Sequence, residues 1–266
     1  MPAPLSSVIA SRLEKAAVDN GFDRVLPAAG GWLTFASTRS PLTIWLGISV
    51  GGAFAIALSQ QNVADALGPF GKPVKEVLPM GAVAARVVPD IPTVHRLIRR
   101  AFQLSKSLPD ELLQVFIART ATLPRTTEAE RLVIQRVGQD LFRQGLLDYW
   151  EGRCAITGLA VPELLRASHI KPWAACETDA ERLDVYNGLL LAPHLDAAFD
   201  QGFITVGDSG EVIVSPALDA NARQALGLEA PTSVQASLDS HRAYLQWHRD
   251  RVYKKYRTEA TKAALV

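Results

Sequence analysis

The sequence predicts an α+β protein: a small N-terminal α+β domain, a helical connector, and a C-terminal region of short strands around one helix. Three observations carry this. Over about residues 1–90, one helical segment precedes short runs rich in β-branched and aromatic residues. Residues 91–149 read as successive helices punctuated by Pro109 and Pro124. From residue 150, turns and short apolar runs replace the long helices. With 266 residues, 48% hydrophobic and 21% charged, the chain can bury a core and is not disordered.

Taken in order, residues 6–20 show helical periodicity that stops at Gly21. Strands are expected at about 31–38, 43–50 and 53–59, then a short helix at QNVADAL and a strand at AARVVP. No charge falls between Arg39 and Asp65, and the apolar run over 42–58 approaches the length of a bilayer span. Gly51-Gly52 splits that run into two strand-length pieces, and no one-sided basic cluster would orient it in a membrane. It reads as a buried hairpin, and no membrane partner is expected. The three helical segments that follow begin at Pro92, Pro109 and Thr126, the last with a capping box from Thr127 and Glu130.

Lys plus Arg number 28 and Asp plus Glu 27, so any nucleic-acid surface must be local. Residues 91–126 hold six basic residues (Arg96, Arg99, Arg100, Lys106, Arg119, Arg125) against Asp110 and Glu111: a phosphate-facing stripe or a solvated helix face. Residues 150–230 are acidic, which suits nucleic acid only if some carboxylates hold a cation. The tail from His241 is basic, with Tyr244, Trp247, Tyr253 and Tyr256 interleaved. It is expected to be a helix that docks aromatics on the core and shows cations outside. Two cysteines, Cys154 and Cys176, exclude a disulfide framework and fit a reducing compartment, hence a cytoplasmic location. The N-terminus lacks the pattern of a secretion signal.

The chemistry concentrates in residues 154–215. ELLRASHI places His169 at the end of an apolar strand, and Lys171-Pro172-Trp173 forces the chain out of it. A long loop leads to Asn187-Gly188, then LLLA and a helix from Pro193. Asp196 and Asp200 are spaced i, i+4 and share one face of that helix. FITV and EVIV form a hairpin across Gly207 to Gly210. Two strands, a loop and a helix thus bring early helix residues toward a strand-end histidine.

Ser168-His169-Ile170-Lys171-Pro172-Trp173, Asn187-Gly188-Leu189, Asp196 and Phe199-Asp200 with Gly202 together resemble the HNH endonuclease family with its ββα-metal fold. The resemblance implies a metal-dependent endonuclease that hydrolyses DNA phosphodiesters to 5′-phosphate and 3′-hydroxyl ends. His169 matches the general base and Asn187 the asparagine that ties down the loop carrying it. Asp196 matches a metal ligand, with Asp200 or His194 as candidate second ligands. An oxygen donor there favours Mg²⁺ or Mn²⁺ over zinc.

Arg166 and Lys171 are candidate phosphate contacts, or solvated charges. Ser168 stands where many relatives carry an acidic residue or histidine. That departure keeps a rival reading alive, an inactive HNH scaffold that only binds nucleic acid. Thr157, Ala192 and Leu195 stand where relatives carry the remaining cysteines of a structural zinc, so none is expected. The layout resembles bacterial restriction or phage-defence enzymes, with residues 1–90 free to choose the target. The expected domains are 1–90, a connector at 91–149, the nuclease at 150–230 and a terminal helix at 231–266. Cutting both strands would need a homodimer.

Overall fold

The computed structural model describes residues 5–68, 70–74, 77–124, 126–234 and 238–255. The chain is mixed α+β and divides into two compact units, Met1–Leu108 and Pro109–Val266. The division falls within the helical stretch of residues 91–149. Its first helix belongs to the first unit and the next two to the second.

The first unit opens with helix α1 (Ser7–Asp19), capped by the Ser6 side chain. Strands β1 (Arg24–Ala29), β2 (Trp32–Ala36), β3 (Ile44–Ile48) and β4 (Phe54–Leu58) follow, then helix α2 (Gln61–Ala66), β5 (Lys72–Pro73), β6 (Ala84–Val88) and helix α3 (Ile91–Ser107). They form one antiparallel sheet in the order β1-β2-β3-β4-β6-β5. The uncharged stretch is the β3–β4 hairpin, pairing Leu46 with Ile56 and burying both. Among the described residues, no helix is long and apolar enough to cross a membrane. Strands β1 and β5 contain Pro27 and Pro73 and lie at the two sheet edges, where a missing N–H costs least.

The cations of α3 are largely engaged locally. Arg99 donates to the Asn20 side chain, Arg96 to Thr93, and the Lys106 ammonium lies over the Phe102 ring. Arg125 lies outside the described residues.

The second unit begins with helices α4 (Pro109–Thr120) and α5 (Glu128–Tyr149), the latter carrying the expected Thr127–Glu130 capping box. Then come β7 (Arg166–His169), α6 (Asp179–Leu183), β8 (Gly188–Leu191), α7 (Pro193–Asp200), β9 (Ile204–Val206), β10 (Val212–Val214), α8 (Ala220–Ala225) and α9 (Arg242–Arg251). Its core gathers Phe142 and Leu146 of α5, all three leucines of β8, Phe199 of α7 and Leu245 of α9. Helix α6 sits inside the loop expected to be irregular, because Thr178 caps it by accepting the Glu181 N–H.

The terminal helix differs in part from expectation. Tyr244 packs against the core as expected, half-buried, but the fully buried positions are Leu245 and His248 of the helix and its N-cap His241, and Trp247 is only half-buried. The cations of α9 are not uniformly outward either: Arg249 donates to the Val206 carbonyl and pairs with Asp208. Tyr256 lies outside the described residues.

Candidate active site

Two elements build the site. Strand β7 pairs antiparallel with β8, with His169 opposite Gly188. The β8 sequence GLLL is buried throughout and anchors the ribbon in the core. Helix α7 starts with Pro193 in its first turn, which suits proline's fixed φ and missing N–H, and packs against β7. It buries Leu195, Ala198 and Phe199, while Asp196 and Asp200, on the flank beside that face, line the cleft with β7, where Ser168 donates to Asp200. A cleft of about 430 Å³ results, lined by Arg166, Ser168, His169, Trp173, Asp196 and Asp200 among others.

His169 is held on three sides. Its ring stacks on Phe142 with centroids 3.7 Å apart and an interplanar angle of 13°, and meets Trp173 edge-on at 5.7 Å. Its Nε2 lies 2.9 Å from the Arg182 carbonyl. A carbonyl only accepts, so Nε2 carries the proton and Nδ1 is left as the basic nitrogen. Burial among the rings lowers the pKa to about 4, against a smaller raising effect of the Arg182 carbonyl. The imidazole is therefore neutral at pH 7.

Asn187 is fully buried and fixes the loop between β7 and β8. Its Oδ1 accepts the Lys171 N–H at 2.7 Å, and its Nδ2 donates to the Lys171 and Glu181 carbonyls, each at 3.1 Å. Glu181 directly precedes Arg182, whose carbonyl orients His169. The amide thus acts on the histidine through the loop, without carrying charge.

The acidic pair is electrostatically strained. Burial raises the pKa of Asp196, opposed by the Ser168 hydroxyl and the Arg166 charge. Burial also raises that of Asp200, with the Asp196 charge adding to it and Ser168 opposing. Ser168 is buried and its hydroxyl donates to Asp200 Oδ1 at 3.3 Å. Two neighbouring carboxylates that repel one another, with oxygen donors only, suit a hard divalent cation. Among the described residues, no three His, Cys, Asp or Glu side chains converge as a complete ligand set.

Not every expected residue joins the cleft. His194 is exposed on α7, two residues from Asp196 and so on another face of the helix, and it does not line the cleft. Lys171 does not line it either; its ammonium pairs with Glu181 at 2.9 Å and its side chain is only 12% exposed. Arg166 is exposed and does line it. Cys154 is buried, its sulfur accepting the Thr157 and Ala192 N–H groups, and Cys176 is a buried thiol whose pKa burial raises.

Two contributors escape sequence reasoning. Phe142, the platform under His169, lies on a helix remote in sequence, and nothing in its spacing distinguishes it from other core residues. His248 of α9 also lines the cleft. Its signal is visible afterwards: His241, Leu245, His248 and Val252 recur at helical spacing, so histidines occupy apolar-stripe positions.

Comparison with known families places an HNH endonuclease domain at residues 154–207, the stretch that contains β7, β8, α7 and β9. Membership of that domain family implies nuclease activity on a nucleic-acid substrate, with a divalent metal of the kind such nucleases use. The match leaves out the first unit, α4, α5 and α9. No curated protein matches the chain.

Proposed function

We propose that the cleft hydrolyses DNA phosphodiesters, with His169 as general base. The observation that carries this is the 2.9 Å contact between His169 Nε2 and the Arg182 carbonyl, from which the tautomer follows. A strand-end imidazole donates a hydrogen bond from Nε2 to a backbone carbonyl, which leaves Nδ1 as the basic nitrogen in a cleft that Asp196 and Asp200 also line. Nδ1 takes a proton from the attacking water as the new P–O bond forms and the P–O3′ bond breaks, leaving a 5′-phosphate and a 3′-oxygen that is reprotonated to hydroxyl. The Arg182 carbonyl stabilises the imidazolium as it forms. Asp196 and Asp200 would hold a divalent ion, Mg²⁺ or Mn²⁺, which when bound offsets charge on the phosphate and the leaving oxygen. Arg166, at the rim, binds a phosphate and fixes register. Asn187 keeps the loop in place.

One such cleft cuts one strand, so cutting both strands takes two copies. A restriction or phage-defence role, with residues 1–90 reading the target, rests on layout alone. The rival reading, a scaffold that binds without cutting, draws on Ser168, a neutral hydroxyl where a further ligand could stand.

Conversion of supercoiled plasmid to nicked or linear DNA with Mg²⁺ or Mn²⁺ tests the proposal. The wild type should convert it, and His169→Ala should slow conversion on the order of a hundredfold or more. Equal rates would overturn the assignment of His169. A wild type that binds Mn²⁺ and DNA but cuts no plasmid, methylated or unmethylated, would favour the scaffold.

A further inference from the structure

Helix α9 lies outside the matched domain, yet one of its side chains reaches the cleft. His248 is 1% exposed. Its Nε2 lies 3.1 Å from the Phe199 carbonyl and its Nδ1 lies 2.9 Å from the Thr205 hydroxyl. The carbonyl can only accept, so Nε2 carries the proton and Nδ1 accepts from Thr205, which is itself fully buried. The ring also stacks on Phe199, with centroids 3.9 Å apart and an interplanar angle of 9°. Every polar atom of the imidazole is thereby used, and its orientation is over-determined.

The bond lands at a sensitive place. Phe199 stands in the last turn of α7, directly before Asp200 and three residues after Asp196. Carbonyls in that turn lack donors within the helix and need them from elsewhere. The Gly202 N–H supplies one to the Phe199 oxygen at 2.8 Å, and His248 supplies the other.

The segment after α9 grips the same corner. Gly202 has φ +71°, and a Cβ there would run into the Val252 carbonyl. The Lys254 N–H donates to the Gly202 carbonyl at 2.9 Å, and the Ser215 hydroxyl donates to the Lys254 carbonyl at 2.6 Å. The end of α7 is therefore clamped by the chain beyond the matched domain, with His248 as the only side-chain donor to the helix among these contacts.

We propose that His248 is a positioning residue for the cation site: it fixes the last turn of α7, and with it the spacing of the Asp196 and Asp200 carboxylates. The inference rests on the reading of those two residues as ligands. The second unit would then be an inseparable functional body, in which the terminal helix sets the geometry of the metal-binding helix.

The test is Mn²⁺ binding to the full chain without DNA, followed by electron paramagnetic resonance, for the wild type and three variants. Asp196→Ala checks the ligand reading itself and should abolish binding. His248→Phe keeps the stack on Phe199 and removes both nitrogens; it should weaken binding on the order of tenfold or more, as loss of supporting shells does. His248→Gln restores a donor near Nε2 and should recover most of that loss, which a merely space-filling role would not produce.

If His248→Phe does not fold, Thr205→Val, which frees the ring at Nδ1, should still weaken Mn²⁺ binding measurably. Wild-type affinity in His248→Phe, or in Thr205→Val where Phe does not fold, overturns the positioning role. Unchanged binding in Asp196→Ala overturns the ligand reading, whatever His248 does.

Discussion

Replacing Asn187 by Ala removes three side-chain bonds to buried backbone at once. The Lys171 N–H and the Glu181 carbonyl lose their side-chain partner, and the Lys171 carbonyl keeps only the Cys176 thiol, a weak donor at 3.4 Å. A buried polar group left unsatisfied costs about 1–3 kcal/mol, and the small space vacated admits at most partial repair by water. The lower end for each of the two groups left without a side-chain partner gives about 2 kcal/mol for the unfolding of the second unit. With an m-value of about 2 kcal/mol per molar urea, the midpoint falls by about 1 M, readable from tryptophan fluorescence.

Nuclease activity should fall further than stability alone dictates. The loop that loosens carries the Arg182 carbonyl, and a misplaced base costs on the order of a hundredfold in rate. Asn187→Asp should do no better, because it keeps an acceptor but loses both donated bonds and buries a charge. An Ala variant with the wild-type urea midpoint and the wild-type cutting rate would refute the claim that this amide holds the loop.

Other expectations follow from the same unit. Gly138→Ala places a methyl 2.5 Å from the Trp173 ring, so overpacking of about 1–3 kcal/mol should outweigh the helix-propensity gain of about 1 kcal/mol. Trp173 touches His169, so plasmid nicking should drop alongside the melting temperature; a variant more stable than wild type would refute the packing. His241 is fully buried among Tyr149, Trp150 and Tyr186, and neither ring nitrogen has a hydrogen-bond partner. His241→Phe should therefore stabilise by about 1 kcal/mol in urea unfolding, and a loss of several would show an unrecognised partner.

The same variant should change the response to acid. Burial lowers the His241 pKa to about 4 from an unfolded value of 6.5, so the unfolded chain binds more protons between those values. Stability is unaffected by this group above pH 6.5 and falls as pH drops toward 4, by about 3 kcal/mol in full. His241→Phe should make that part of the curve less steep, leaving the slope due to His169 and His248, and parallel curves would refute the assignment.

What the sequence discloses here follows from which interactions are local. The capping box, the uncharged β3–β4 hairpin and the i, i+4 aspartates are written in neighbouring residues, and each stands where the spacing puts it. The edge strands are the opposite case. Pro27 and Pro73 argue against strands by local rule, and only the sheet's boundary, where an N–H is not needed, makes them tolerable. Within the site, the same distinction separates what was legible from what was not. His169 and Asn187 belong to two motif pieces joined by one loop, and the bond that fixes Nε2 comes from that loop. Lys171 lies in that motif too, but Glu181, ten residues on, neutralises it, a pairing set by the cap of α6.

Phe142, which stacks on His169, and His248, which lines the cleft, come from helices far along the chain, so no spacing rule links them to it. The histidines of α9 show why hydropathy misleads. A hydropathy reading counts them with the cations of the tail, yet a neutral imidazole whose two nitrogens meet a carbonyl and a hydroxyl is, energetically, a flat apolar ring with its polar edge satisfied. His248 meets that condition and His241 does not. The former should therefore lose stability on replacement by an apolar ring, and the latter should gain it.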